Sequence, residues 1–480
     1  MGVRQHILTD ERSRSWRHSP GRTRPRNNGL NQYENWDTAT FINYEANVIL
    51  YNSGVRSDFL VDDRHRVYAL QHYRASPFQG YCYRYYWRDA RDRISSFIKG
   101  NQTSANPMEN GRGANYSYDA EGQLTDVSSE GNDASGVARQ EHFTYDALGN
   151  RQGVNQLPGR GAVSFVRRDN GLNQYLNWSL CPTGQYKHDD QWYGAAGNGV
   201  LMQEGSITAS YNALNQPIAI YAPGLGSNFM YFGFDPLGRC VKRWIAPGTG
   251  GAANSNPATY FYYDEGWNLL QEGSGGATAQ RAYVPGRRID DMVVDYSYPD
   301  NRWSYHHYDA RGHCSLLTDW NGTLLEQYDY DAFGKPYFYN GYGQLLSNGS
   351  AVGNRFLFTG REWLSDLHLY DYRNRMYQPE LGRFLQPDPK EFAAGDYNLY
   401  RYCHNDPVNK SDPTGLGYED HMPGPEAYQG GVFLHLSRVF DSLSGAGFRA
   451  TWDAQSVFGD TSGKFAVAQG FQATKDMRQP

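Results

Sequence analysis

Three observations predict an all-β protein built as a spiralling array of antiparallel hairpins. The chain has 480 residues, beyond the roughly 250–300 at which a single hydrophobic core stops growing, so it is several domains or one array. Tyr alone counts 39 and aromatics reach 15%, while hydrophobic residues total only 39%, so rings with a polar end supply burial that aliphatic side chains do not. A short unit also recurs: an aromatic, then an acid, then glycine three residues after the acid.

The clear copies are Tyr118-Asp119 with Gly122, Tyr145-Asp146 with Gly149, Phe234-Asp235 with Gly238, Tyr308-Asp309 with Gly312, and Tyr330-Asp331 with Gly334. Tyr211-Asn212 with Asn215 and Tyr263-Asp264 are degenerate copies. Asp at the first position of a type I turn accepts a bond from the backbone ahead of it, and Gly tolerates the turn's end. In Asp235-Pro236-Leu237-Gly238 the proline also pre-sets the second position. The acid is therefore a turn residue rather than a catalytic one, and the strand-like residues on either side make each unit a hairpin.

A lone hairpin is marginal in water, so successive hairpins must pair edge to edge and bury a shared face. Right-handed twist accumulated over many strands curls such a sheet into a tube or closed shell. The uneven repeat intervals disfavour a propeller of equal blades. The Gly/Ala/Ser/Asn-rich stretches 246–258 and 340–354 read as surface loops between hairpins. Asn28-Gly29-Leu30-Asn31-Gln32-Tyr33 is echoed by Asn170-Gly171-Leu172-Asn173-Gln174-Tyr175, which starts the array near residue 27.

Net charge is −6, which gives no sign of nucleic acid as a partner of the array. The first 26 residues differ: Arg4, Arg12, Arg14, Arg17, Arg22, Arg24 and Arg26 outnumber Asp10 and Glu11, as in a solvated, disordered basic arm. That opening lacks the apolar stretch of a signal peptide, and no run approaches the ~18 apolar residues of a membrane span. Export would then need a dedicated route or an upstream segment. Cys82, Cys181, Cys240, Cys314 and Cys403 are dispersed and odd in number, so they read as small buried hydrophobes and not as a metal cluster or disulfide framework. Adjacent His306 and His307 point to opposite faces of a strand, which suits ligands poorly. No metal and no cofactor are assigned.

From Arg361 the character changes. The ordered segments are Gly360-Arg361-Glu362, Leu369-Tyr370-Asp371-Tyr372-Arg373-Asn374-Arg375-Met376-Tyr377, Leu381-Gly382-Arg383-Phe384 with Asp388-Pro389, Tyr397-Asn398-Leu399-Tyr400-Arg401-Tyr402 with Asn405-Asp406-Pro407, and Asp412-Pro413-Thr414-Gly415-Leu416. Together they resemble the core-associated end of bacterial Rhs (YD-repeat) proteins, and with the upstream repeats the resemblance covers about residues 27–416. It implies a hollow YD-repeat shell over 27–360, related to those of teneurins and of Tc toxin C components. A core-associated plug would follow over 361–416, and a variable tail over 417–480. In toxin members the shell stores a C-terminal effector, and many cut themselves just after Asp-Pro-x-Gly-Leu, here after Leu416.

An aspartyl protease needs two carboxylates sharing a proton, one to activate water and one to donate to the leaving amine. Asp388 and Asp412 match, with Arg383 and Arg401 as residues that could position them. This chain reads Asp388-Pro389-Lys390-Glu391 where many members repeat Asp-Pro-x-Gly, and Asp-Pro also starts ordinary turns, so the purely structural reading stays open.

After Leu416 the resemblance stops. Val432, Phe433, Leu436, Val439, Phe440 and Leu443 recur at helical spacing, predicting one amphipathic helix over 431–444, broken by Gly445 and Gly447. The tail carries no recognisable catalytic constellation. The reading that follows is an Rhs-type shell of intercellular competition that encloses and presents its tail. Its implied partners are that tail as cargo, a secretion-system spike and an immunity protein. Export would be by a dedicated route, to the surface or the medium. Two alternatives stay open: a surface adhesion or glycan-contact module using exposed Tyr and Trp, and a fragmentary family member without an effector.

Overall fold

A computed structural model describes residues 42–420, apart from short internal stretches of which 101–112 and 188–199 are the longest, together with 438–441 and 449–452. The basic arm, the first copy of the Asn-Gly-Leu-Asn-Gln-Tyr echo and Cys181 lie outside the described residues.

The repeat turns form as their chemistry requires. In Asp119–Gln123, the Asp119 N–H donates to the Gln123 carbonyl, the Gly122 N–H to the Asp119 carbonyl, and the Glu121 and Gln123 amides to Asp119 Oδ1. The same pattern recurs at Asp146, Asp235, Asp309 and Asp331. It also occurs at Asp89, Asp319 and Asn340, which the sequence motif does not single out, and Asp62 likewise donates its N–H to the Arg66 carbonyl and accepts the Arg64 and Arg66 amides at Oδ1. Where glycine is missing, Asp92 (φ 66°), Asn215 (φ 60°) and Trp267 (φ 65°) take the left-handed conformation in its place.

The aromatic of the unit has its own task. Tyr118, Tyr145, Tyr263, Tyr308 and Tyr330 each end a strand and donate their hydroxyl to the first carbonyl of the preceding strand: Ile94, Leu124, Cys240, Met292 and Cys314 respectively, at 2.6–2.9 Å. Each of these five hairpins is thereby lashed to its predecessor. Tyr145→Phe keeps the ring and deletes one such bond, so it should lower stability by about 1 kcal/mol, read from the urea midpoint at unchanged m-value.

Among the described residues, strands pair only with their sequence neighbours, always antiparallel. They make one sheet of 13 strands, Ile42–Glu45 to Gly184–Lys187, and one of 14, Val200–Met202 to Leu345–Leu346. Among the described residues neither sheet closes on itself by strand pairing, so the closure expected from twist is not achieved there through hydrogen bonds. A four-stranded sheet follows, Glu362–Leu364, Leu369–Asp371, Met376–Gln378 and Arg383–Phe384.

Early strands alternate in burial, as Val48–Tyr51 does, whereas Met292–Ser297 and Cys314–Thr318 are buried throughout. These central strands have both faces covered. Val294, Tyr296, Tyr305 and Leu316 pack with Leu70, Tyr86, Phe97 and Val154 of the first sheet. Tyr308, Leu317 and Tyr328 pack instead with Phe358, Tyr370, Tyr377 and Tyr402. Earlier in the second sheet, Ile207, Ile220, Met230 and Phe232 pack against Leu364, Leu369 and Met376. Leu381 and Val408 join the core of the first sheet. The segment after residue 356 thus contributes to each of these hydrophobic cores.

Cys82, Cys240, Cys314 and Cys403 are buried, and Cys240, Cys314 and Cys403 are free. His306 bonds Asp295 Oδ2 at 2.9 Å and His307 bonds Thr318 Oγ1 at 2.9 Å, each fully buried as a strand residue. The helix expected over 431–444 is not what forms where that stretch is described. Arg438–Asp441 is a strand paired with Arg449–Trp452, so Gly445 and Gly447 fall between two strands; valine and phenylalanine in that stretch suit a strand as well as a helix. The rest of the tail after Asp420 lies outside the described residues. Among the described residues no helix is long and apolar enough to cross a membrane, which leaves β-barrels unaddressed.

Candidate self-cleavage site

Two Asp-Pro turns deliver the candidate carboxylates. The Glu391 N–H donates to the Asp388 carbonyl at 2.9 Å and the Lys390 N–H to Asp388 Oδ1 at 2.8 Å. The Gly415 N–H donates to the Asp412 carbonyl at 3.3 Å. Glu391 takes φ 51° and Gly415 φ 68°, so the glutamate adopts the left-handed conformation that the missing glycine of the first motif would supply. A left-handed non-glycine residue costs roughly 1–2 kcal/mol, against the smaller entropic cost of Gly. Glu391→Gly should therefore raise stability by about 0.5–1 kcal/mol in chemical denaturation.

The fold brings Asp388 and Asp412 together on one cation. Arg375 Nη2 lies 2.9 Å from Asp388 Oδ2 and 3.0 Å from Asp412 Oδ2. All three are buried, at 6%, 2% and 3% exposure. Arg375 is further fixed by its Nε donating to the Gly415 carbonyl at 2.6 Å, its Nη1 donating to the Leu399 carbonyl at 3.1 Å, and the Phe384 ring 3.7 Å below the guanidinium. The other Asp412 oxygen, Oδ1, accepts the N–H of Leu416 at 3.0 Å and that of Gly417 at 3.1 Å, so it touches the nitrogen of the Leu416–Gly417 peptide bond.

Arg383 and Arg401 have other partners. Arg383 donates to the Asn173 carbonyl at 2.7 Å and stacks on Tyr175 and Tyr400. Arg401 forms a two-pronged pair with Asp396 at 2.8 and 2.9 Å. Neither contact reaches Asp388 or Asp412; the cation between them is Arg375, which the sequence reading did not single out. Five arginines crowd residues 361–401, and only the hairpin ending at Met376–Gln378 decides which of them faces the turns.

Burial pushes the Asp412 carboxyl above the ordinary carboxylate range, and the charge of Asp388 adds to that; Arg375 and the Gly417 and Leu416 amides pull the other way. With both carboxylates ionised the group carries one net negative charge, which a proton on Asp412 would neutralise. A cavity of about 20 Å³ adjoins Arg375, Asp388, Asp412 and Gly417, the room of one water molecule. His404 lines the same cavity; burial first and Arg401 second push its pKa down to about 4, so it is a neutral ring at pH 7. The arrangement can hold a water, a base and an acid around one peptide bond.

The all-antiparallel fold is similar to that of a solved TcdB2-TccC3 structure, and parts of the sequence are similar to a tRNA nuclease and a DNA deaminase toxin. No family model matches the chain. It is 27% identical over 277 residues to the tRNA3(Ser)-specific nuclease WapA of Bacillus spizizenii, covering 57% of this chain and 11% of that protein. To the double-stranded DNA deaminase toxin A of Burkholderia cenocepacia it is 25% identical over 455 residues, covering 82% of this chain and 29% of the relative. Among solved structures, the TcdB2-TccC3 crystal structure superposes with a TM-score of 0.61 at 17% identity, over 78% of this chain and 20% of that one. The chain thus spans between about a tenth and three tenths of the length of these relatives.

Proposed function

We propose that the chain is an Rhs-type shell protein that encloses and presents its variable C-terminal segment and frees it by self-cleavage after Leu416. The observation that carries this reading is that Asp388 and Asp412 meet on Arg375 while Asp412 also holds the Gly417 N–H. The relatives support a toxin setting: the activities they are named for, a tRNA nuclease and a DNA deaminase, belong to much longer proteins.

In the proposed reaction Asp388 takes a proton from water as the water oxygen bonds to the Leu416 carbonyl carbon. Asp412, the carboxyl with the raised pKa, then delivers its proton to the Gly417 nitrogen as the C–N bond breaks. The products are a carboxyl on Leu416 and an amine on Gly417. Because the acid must be protonated, cleavage should slow as pH rises through the elevated pKa of Asp412 and run faster in mild acid. The test is intact-mass analysis of the unaltered chain beside Asp388→Asn and Asp412→Asn. The unaltered chain should yield a fragment beginning at Gly417, and each variant should lose it at least ~100-fold. If the unaltered chain yields no such fragment from pH 5 to 8, self-cleavage is wrong.

A second reading, surface contact with glycans, draws on one feature. On the strand Phe78–Arg88 the rings of Tyr83 and Tyr85 lie 4.6 Å apart and those of Tyr85 and Trp87 6.2 Å apart, with Trp87 nearly half exposed. Retention on a glycan array, lost in Trp87→Ala, would favour it.

A further inference from the structure

The geometry points to a further role in the proposed cleavage: the turn Arg373-Asn374-Arg375 sets which bond is cut by counting along the backbone, so that the Leu416 side chain is not read. This inference rests on the self-cleavage reading.

Three consecutive side chains of this turn grip three consecutive carbonyls. Arg373 Nη1 donates to the Pro413 carbonyl, Asn374 Nδ2 to that of Thr414 at 2.9 Å, and Arg375 Nε to that of Gly415 at 2.6 Å. The offset is 40 residues in each case, so the clamp and the segment run in step. In an extended strand neighbouring side chains point apart. Their convergence here requires a bend, which Arg373 supplies with φ 66° in the tight turn closed by the Tyr372 N–H donating to the Arg375 carbonyl at 3.0 Å.

The clamp is itself braced. Asp290 holds the Arg373 guanidinium at 2.7 Å and also pairs with Arg361 at 2.6 Å, while Phe384 supports Arg375 from below. Beyond the clamp, the N–H groups of Leu416 and Gly417 go to Asp412. These contacts fall on backbone atoms, which are the same for any residue. Shape enters at Gly415, where an added Cβ would lie 2.6 Å from the Tyr372 carbonyl oxygen and φ is left-handed. The segment is thus recognised as a glycine-containing backbone strung between the clamp and Asp412, and the bond presented is the one following the first residue after that glycine.

The experiment uses the full chain and intact-mass readout of both fragments. Five chains are compared: the unaltered chain, Leu416→Ala, Asn374→Ala, an alanine inserted between Gly415 and Leu416, and an alanine inserted between Leu416 and Gly417. Counting from the clamp predicts that Leu416→Ala is cut within about threefold of the unaltered rate. The first insertion should be cut after the inserted alanine, giving a tail that begins at Leu416. The second should still be cut after Leu416, giving a tail one alanine longer. Asn374→Ala should slow cleavage roughly tenfold, the loss of one hydrogen bond, without moving the cut. A cut that stays after Leu416 in the first insertion, failure of that chain to be cut, or loss of cleavage in Leu416→Ala overturns the inference while leaving self-cleavage standing. Absence of a fragment from the unaltered chain removes both.

Discussion

Arg375→Met should lower the stability of the chain by about 3–5 kcal/mol and abolish the proposed release of the tail. The substitution keeps much of the side chain's bulk over Phe384 but strands Asp388 and Asp412, two carboxylates below 7% exposure, without their shared cation. It also removes the donor to the Gly415 carbonyl that holds the segment before the proposed cut in place. Chemical denaturation reads the stability, and the triple variant with Asp388→Asn and Asp412→Asn supplies the control. If charge stranding is the cause, neutralising both carboxylates should restore at least half of the lost stability while release stays absent. A triple variant as unstable as Arg375→Met alone would show that lost packing is responsible.

The second large effect lies where the two sheets meet. Asp309 is a repeat-turn acid, yet it is 1% exposed and its Oδ2 is 3.0 Å from both Arg84 of the first sheet and Arg311. Burial alone would raise its pKa, but Arg311, His313 and Arg84 hold it well below the usual carboxylate range. Asp309→Asn should cost about 3 kcal/mol or more, because two buried guanidinium groups lose their countercharge. Asp119→Asn, at the same turn position without such a pair, should cost under about 1 kcal/mol. Asn212 shows that an amide performs the turn task, accepting the Leu214 and Gln216 amides at 2.9 and 3.1 Å. The difference between the two variants therefore isolates the ion pair across the sheets, and equal costs would show that turn geometry alone matters.

These two residues mark how far the sequence can be read. Asp309 is legible as a turn acid because its bonds go to residues two and four places on. Its partner Arg84 is 225 residues away and invisible to any local pattern. The hairpin array follows from local chemistry in the same way, and the copies at Asp62 and Asp89 escape notice because neither carries glycine three places on. At the candidate site Asp388 and Asp412 stand out through their prolines, whereas Arg375 becomes central only once the turns from 13 and 37 residues downstream fold onto it. Arg401 finds Asp396 close by, a bond that pattern reading could propose as readily as any other. The tail's apolar spacing suits a helix by period, but the glycines that end the pattern equally suit the bend of a hairpin.

The hydrogen bond from the Gly417 amide to Asp412 has a consequence for timing. Scission there would turn a neutral amide into an ammonium group seated against a carboxylate, at the mouth of a pocket with room for one water. The new terminus would be held by its own charge in the place where it was made. Severing the chain and surrendering the severed piece would then be separate events, the second set by whatever pulls on the nicked but still assembled molecule.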